Sequence, residues 1–89
     1  MGLVDANLVA QAFRLANRAV VSDIQDGGIK VRQPDGSIWW DTRPMVDPHE
    51  HDPIVIDMAK QAIDYALDAG LVVRHAFEPH LVRIVNLEG

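Results

Sequence analysis

The densest set of groups able to do chemistry in this chain is the stretch DPHEHDP, residues 47–53. His49 and His51 stand two residues apart, flanked by Asp47, Glu50 and Asp52, and together they offer the nitrogen and oxygen donors that Zn²⁺ or Ni²⁺ takes. His75 or His80 would have to complete such a sphere. No cysteine or HExxH helix supports it, and Asp52 is expected to be engaged as a helix cap. His49 and His51 are therefore weak metal candidates, and the stretch reads first as a solvated polar linker.

Nucleophiles are few. Ser22 and Ser37 are the only serines and Thr42 the only threonine, and none has the local sequence of an activated hydroxyl. The carboxylates fall mainly on one wet helix face and in turns, where nothing selects a pair for acid–base work. Gly27-Gly28 lacks the lysine and the strand–helix setting of a phosphate loop. The expectation is a protein without catalytic residues and without a cofactor.

Composition narrows the classes further. The 89 residues are 48% apolar, which suits one folded domain over residues 1–89 and argues against disorder. A net charge of −5 disfavours indiscriminate binding to nucleic acid, which needs a cationic field. No apolar run approaches the roughly 20 residues that cross a bilayer, and the start MGLVDANLVAQAF has neither the pattern of a secretion signal nor that of a myristoylation site. Without cysteine there is no disulfide frame. A cytoplasmic protein that makes no use of a membrane is expected.

The elements that position these residues come as one unit used twice, an amphipathic helix and a hairpin, over residues 5–41 and 52–87. The first helix is predicted from Asp5, its N-cap, to about Val21. Its buried face is expected to be Leu8, Ala12, Leu15 and Ala19, widened by Val9, Phe13, Ala16 and Val20. The segment SDIQDGG then reads as a loop. IKVRQ and SIWWD form a hairpin about Pro34-Asp35-Gly36, with Val31 opposite Trp39 and with Lys30, Arg32, Ile38 and Trp40 on one face.

The second helix starts at Asp52-Pro53 and ends at Gly70, a left-handed cap followed by apolar Leu71. Its apolar arc is about twice the ~100° that a surface helix needs, so Ile54, Met58 and Tyr65 should meet something. LVVRHAF and LVRIVNL form the second hairpin. With Glu78 and Leu81 flanking its turn, Val72, Arg74, Arg83, Val85 and Leu87 share a face.

The order α-β-β-α-β-β fits a two-layer α+β sandwich, a four-stranded antiparallel sheet with both helices on one face. A circularly permuted split-βαβ arrangement, cut after its first strand, has the same order. The alternative is a winged helix, disfavoured by having only two helices and an acidic last one.

Under these registers Lys30, Arg32, Arg74 and Arg83 gather on the open sheet face with Trp40, Ile38, Val72, Val85 and Leu87. Half of the chain's eight basic residues then lie beside aromatic and aliphatic surface, a mixture typical of protein interfaces. Trp40→Ala is accordingly expected to alter association more than folding. The sequence thus points to a non-enzymatic interaction module. It would be a small acidic accessory, inhibitory or regulatory protein of a bacterium or phage that docks on a larger protein or forms a homodimer. The alternative is a nucleic-acid binder using the basic sheet face or a wing.

Overall fold

A computed structural model describes residues 5–87. The chain runs α1 (Ala6–Gly27), β1 (Ile29–Arg32), β2 (Ile38–Asp41), a 3-10 turn (Arg43–Val46), α2 (Pro53–Asp68), β3 (Val72–Arg74) and β4 (Leu81–Ile84). The four strands form one antiparallel sheet in the order β1-β2-β4-β3. This is the α+β architecture expected from the repeated unit. The second strand of each unit is central and the first is an edge, so the two units meet along β2 and β4. That seam is short, pairing only Trp40 with Val82 and Asp41 with Leu81. The winged helix is set aside, because the last hairpin is half of this sheet rather than a free wing.

α1 begins as expected, with the backbone N–H of Asn7 donating to Asp5 Oδ1 at 2.8 Å. It does not stop at Val21. The segment read as a loop continues the helix through Gly27, because Ile24 on that extra turn is completely buried and its packing outweighs the modest helix propensities of Ser22, Asp23 and Asp26. The helix ends where Gly28 donates its N–H to the Ile24 carbonyl at 2.8 Å. A Cβ at Gly28 would stand 2.7 Å from that oxygen and 3.0 Å from the Asp41 carbonyl, so only glycine lets the chain pass into β1 here.

Hairpin 1 keeps its expected register, Lys30 opposite Trp40 and Val31 opposite Trp39. Gly36 takes the left-handed conformation at its turn. α2 closes as expected: Gly70 has a φ of +73°, Leu71 N–H reaches the Ala66 carbonyl at 2.9 Å, and Leu71 is buried. At the other end Asp52 occupies the N-cap position, but its side chain makes no capping hydrogen bond.

Hairpin 2 departs from its expected register. Val72 pairs with Ile84, Val73 with Arg83 and Arg74 with Val82. The cause is His75, whose Nδ1 accepts the N–H groups of Phe77 and Glu78, each at 3.1 Å. That curls residues 76–80 into a wider loop, so β3 ends at Arg74. The resulting shift is odd in residue number, and an odd shift exchanges the faces of one strand relative to the other.

One core results. Val21 and Ile24 of α1, Met45, Ile63 and Ala66 of α2, Leu71, Val72 and Val82 are buried together, with Trp40 and Ile84 packed against them. Both helices therefore cover the face that carries Val72, Val82, Ile84 and Trp40.

Candidate functional site

The cross-sheet row Lys30, Trp40, Val82, Arg74 follows directly from the strand pairings. Its middle lies beneath the helices and its basic ends lie on the two edge strands. The expected open platform is corrected on two counts. Trp40 is half-buried against the core rather than displayed, and Arg83 sits on the opposite face, brought there by the hairpin 2 register. Lys30, Arg32 and Arg74 are exposed rim residues, and Ile38, opposite Arg32, is half-buried. Arg74 turns its guanidinium to the Pro79 carbonyl at 2.5 Å. Val72, also expected on that open face, is buried, while Val85 and Leu87 follow β4 and remain exposed.

The other sheet face carries Val31, Trp39, Val73, His75 and Arg83. Trp39 meets His75 edge-on with ring centroids 4.7 Å apart, and Phe77 follows at 6.2 Å from His75. Trp39 Nε1 donates to Ser37 Oγ at 2.8 Å, and that hydroxyl donates to Asp35 Oδ1 at 2.5 Å. Ser37 is thereby a lock on the turn, and its interactions hold the Asp35 carboxyl below its ordinary value. The Thr42 hydroxyl likewise serves structure, donating to the His80 carbonyl at 2.9 Å.

The linker is anchored by Asp41 and Arg43. The Asp41 carboxylate is nearly buried, and it accepts from Arg43 Nη2 at 2.6 Å, from Nε at 3.1 Å, and from the Arg43 backbone N–H at 3.0 Å. The Arg43 side-chain hydrogen bonds hold its titration below the ordinary aspartate value. A depressed carboxylate contributes stability that is present above the unfolded-state value near 4 and is lost as pH falls through the folded-state value. Asp41→Asn is therefore expected to cost about 1–2 kcal/mol at pH 7, with Arg43 largely in water, and to flatten the loss of stability below about pH 4. Urea midpoints of both proteins at pH 7 and pH 3 measure this; equal losses on acidification would exclude it.

Around His49 and His51 the backbone is turned by Asp47, whose Oδ1 accepts the His49 N–H at 2.8 Å and whose carbonyl accepts those of Glu50 and His51 at 3.1 Å. Among the described residues no three His, Cys, Asp or Glu side chains are grouped as a metal ion requires. His75 spends its Nδ1 on its own loop, and His80 lies in that loop with its backbone carbonyl accepting from Thr42.

The helices hold what the sequence did not locate. On α2, Ile54 and Met58 are 75% and 65% exposed, as their side of the arc suggested. Tyr65 leans the other way and donates its hydroxyl to Asn17 Oδ1 at 2.5 Å, tying α2 to α1. On α1 the expected buried face is corrected: Leu8, Ala12, Leu15 and Ala19 are all exposed, and the buried residues are Asn17, Val21 and Ile24. Every residue from 6 to 16 is exposed, so the first half of α1 stands clear of the core. The overall extents, 52 × 34 × 19 Å, reflect it. The signal was available: Asn17, Val20, Val21 and Ile24 form a second stripe roughly opposite the first once the helix runs to Gly27.

No protein-family description, curated protein or solved structure matches this chain. No helix among the described residues is long and apolar enough to cross a membrane.

Proposed function

We propose that the protein is a non-enzymatic interaction module, a small acidic accessory or regulatory protein of bacterial or phage type that works in the cytoplasm. The observation that carries this reading is the apolar surface left over after the core is closed. Leu8 and Leu15 on α1 and Ile54 and Met58 on α2 are each 63–75% exposed. Scattered singly such residues mean little, but grouped on two helix faces they mark a surface that a partner covers. Docking through these faces, rather than through the sheet, is the version of the reading that the fold supports best. Nucleic acid is the weaker reading, since the aromatic residue expected at the centre of a basic platform lies under the helices.

The test is retention on immobilised protein after nuclease treatment and at about 0.5 M salt, where charge–charge contacts are screened. The wild type is expected to retain a protein, its own copy or another, and the Leu15→Glu/Met58→Glu variant is expected to lose it. Retained nucleic acid whose binding falls steeply with salt would overturn the reading.

A further inference from the structure

The two stripes of α1 face nearly opposite directions. The core uses Asn17, Val20, Val21 and Ile24, while Leu8, Ala12, Leu15 and Ala19 lie about half a turn away and are exposed. The outward stripe cannot be met by the domain that the helix belongs to. Its spacing of four, three and four residues is that of a helix seam packed against another helix.

We propose, resting on the interaction-module reading, that the occupant of this stripe is α1 of a second copy, packed antiparallel across a two-fold axis between Phe13 and Arg14. The argument is the order of sizes along the stripe. Large, small, large, small is self-complementary when one helix is reversed: Leu8 then faces Ala19 of the second copy, and Ala12 faces Leu15. Every layer holds one large and one small side chain, the alternation that fills a helix interface without voids. The contact is isologous and closes at two copies. A parallel pair would stack leucine on leucine and leave alanine facing alanine.

The flanks agree. On one side Val9 falls beside Ala16 of the second copy, again large beside small. On the other side Arg18 falls beside Gln11 of the second copy, so no like charges meet. The helix dipoles also run in opposing directions. The stripe and its flanks take roughly 400–500 Å² from each copy, about half of the ~800 Å² per partner of a standard interface. A dimer that dissociates on dilution follows.

The chain has no cysteine, so cysteines placed on the stripe report its geometry. Leu8→Cys protein mixed with Ala19→Cys protein, under mild oxidation, is expected to give the mixed disulfide in preference to either homodimer. Sedimentation of the wild type is expected to show a concentration-dependent dimer, weakened by at least roughly tenfold in Leu15→Glu and unchanged in Ile54→Glu. Circular dichroism checks that both variants remain folded, as exposed positions allow. Preferential self-linking of Leu8→Cys protein would overturn the antiparallel arrangement. A wild type that stays monomeric to about 1 mM would overturn self-association. If that monomer still retains another protein through Leu15, the interaction reading stands without it; if it retains nothing, both fall.

Discussion

Ile24→Ala is expected to destabilise the protein by about 3 kcal/mol, whereas Leu15→Ala changes the stability of dilute protein by less than about 0.5 kcal/mol. Both residues lie on α1, both are large and aliphatic, and sequence periodicity assigns the core to Leu15. Their surroundings decide the difference. Ile24 has no exposed surface and belongs to the cluster formed with Val21, Met45, Ile63 and Val82, so truncating it leaves a cavity that neighbours from four elements cannot all close. Leu15 is 66% exposed, and its truncation removes little from the folded state that the unfolded chain does not lose as well. For a chain of this size, 3 kcal/mol corresponds to a fall of roughly 12–24 °C in Tm. Thermal denaturation of the two variants at low concentration, below any self-association, measures the contrast. A Leu15→Ala loss equal to that of Ile24→Ala would place the outward stripe in the core.

The same contrast explains which parts of the fold were legible in the sequence. Boundaries written in local chemistry were readable: Asp5 as a cap, Pro34-Asp35-Gly36 as a turn, and Gly70-Leu71 as a helix stop. Each of these works through neighbours a few residues away. The end of α1 was not readable in this way, since Ser22, Asp23 and Asp26 suit a loop by their own preferences and become helical through the burial of Ile24 against distant strands. Hairpin 2 failed for a related reason. A histidine ring nitrogen capping two backbone N–H groups has no compositional signature, yet it moved the register and carried Arg83 to the other face. The candidate surface was therefore half legible. Ile54 and Met58 followed from an apolar arc too wide for one helix, while the α1 stripe was hidden because its helical period is the same whether it faces the domain or a partner.

The tryptophan pair makes the second large effect. Trp40→Ala is expected to cost about 3 kcal/mol and Trp39→Ala about 1–2 kcal/mol, the reverse of what an exposed Trp40 would give. Adjacent strand residues point to opposite faces, so the two rings cannot share an environment. Trp40 lies in the row between Lys30 and Val82, and Val82 is fully buried, so its ring covers the sheet centre under the helices. Removing it opens space beside Val82 that the methylene stems of Lys30 and Arg74 at the ends of the row fill only in part. Trp39 loses less: an edge-on contact with His75 and a hydrogen bond from its indole to Ser37 on the other face. Urea unfolding of the two variants under identical conditions measures the order. Single-tryptophan fluorescence adds an independent reading, with the Trp39→Phe protein, which retains Trp40, emitting further to the blue than the Trp40→Phe protein. If Trp39→Ala proved the more damaging, the helices would cover the Trp39 face, and the basic row with Trp40 would return as the exposed surface of the molecule.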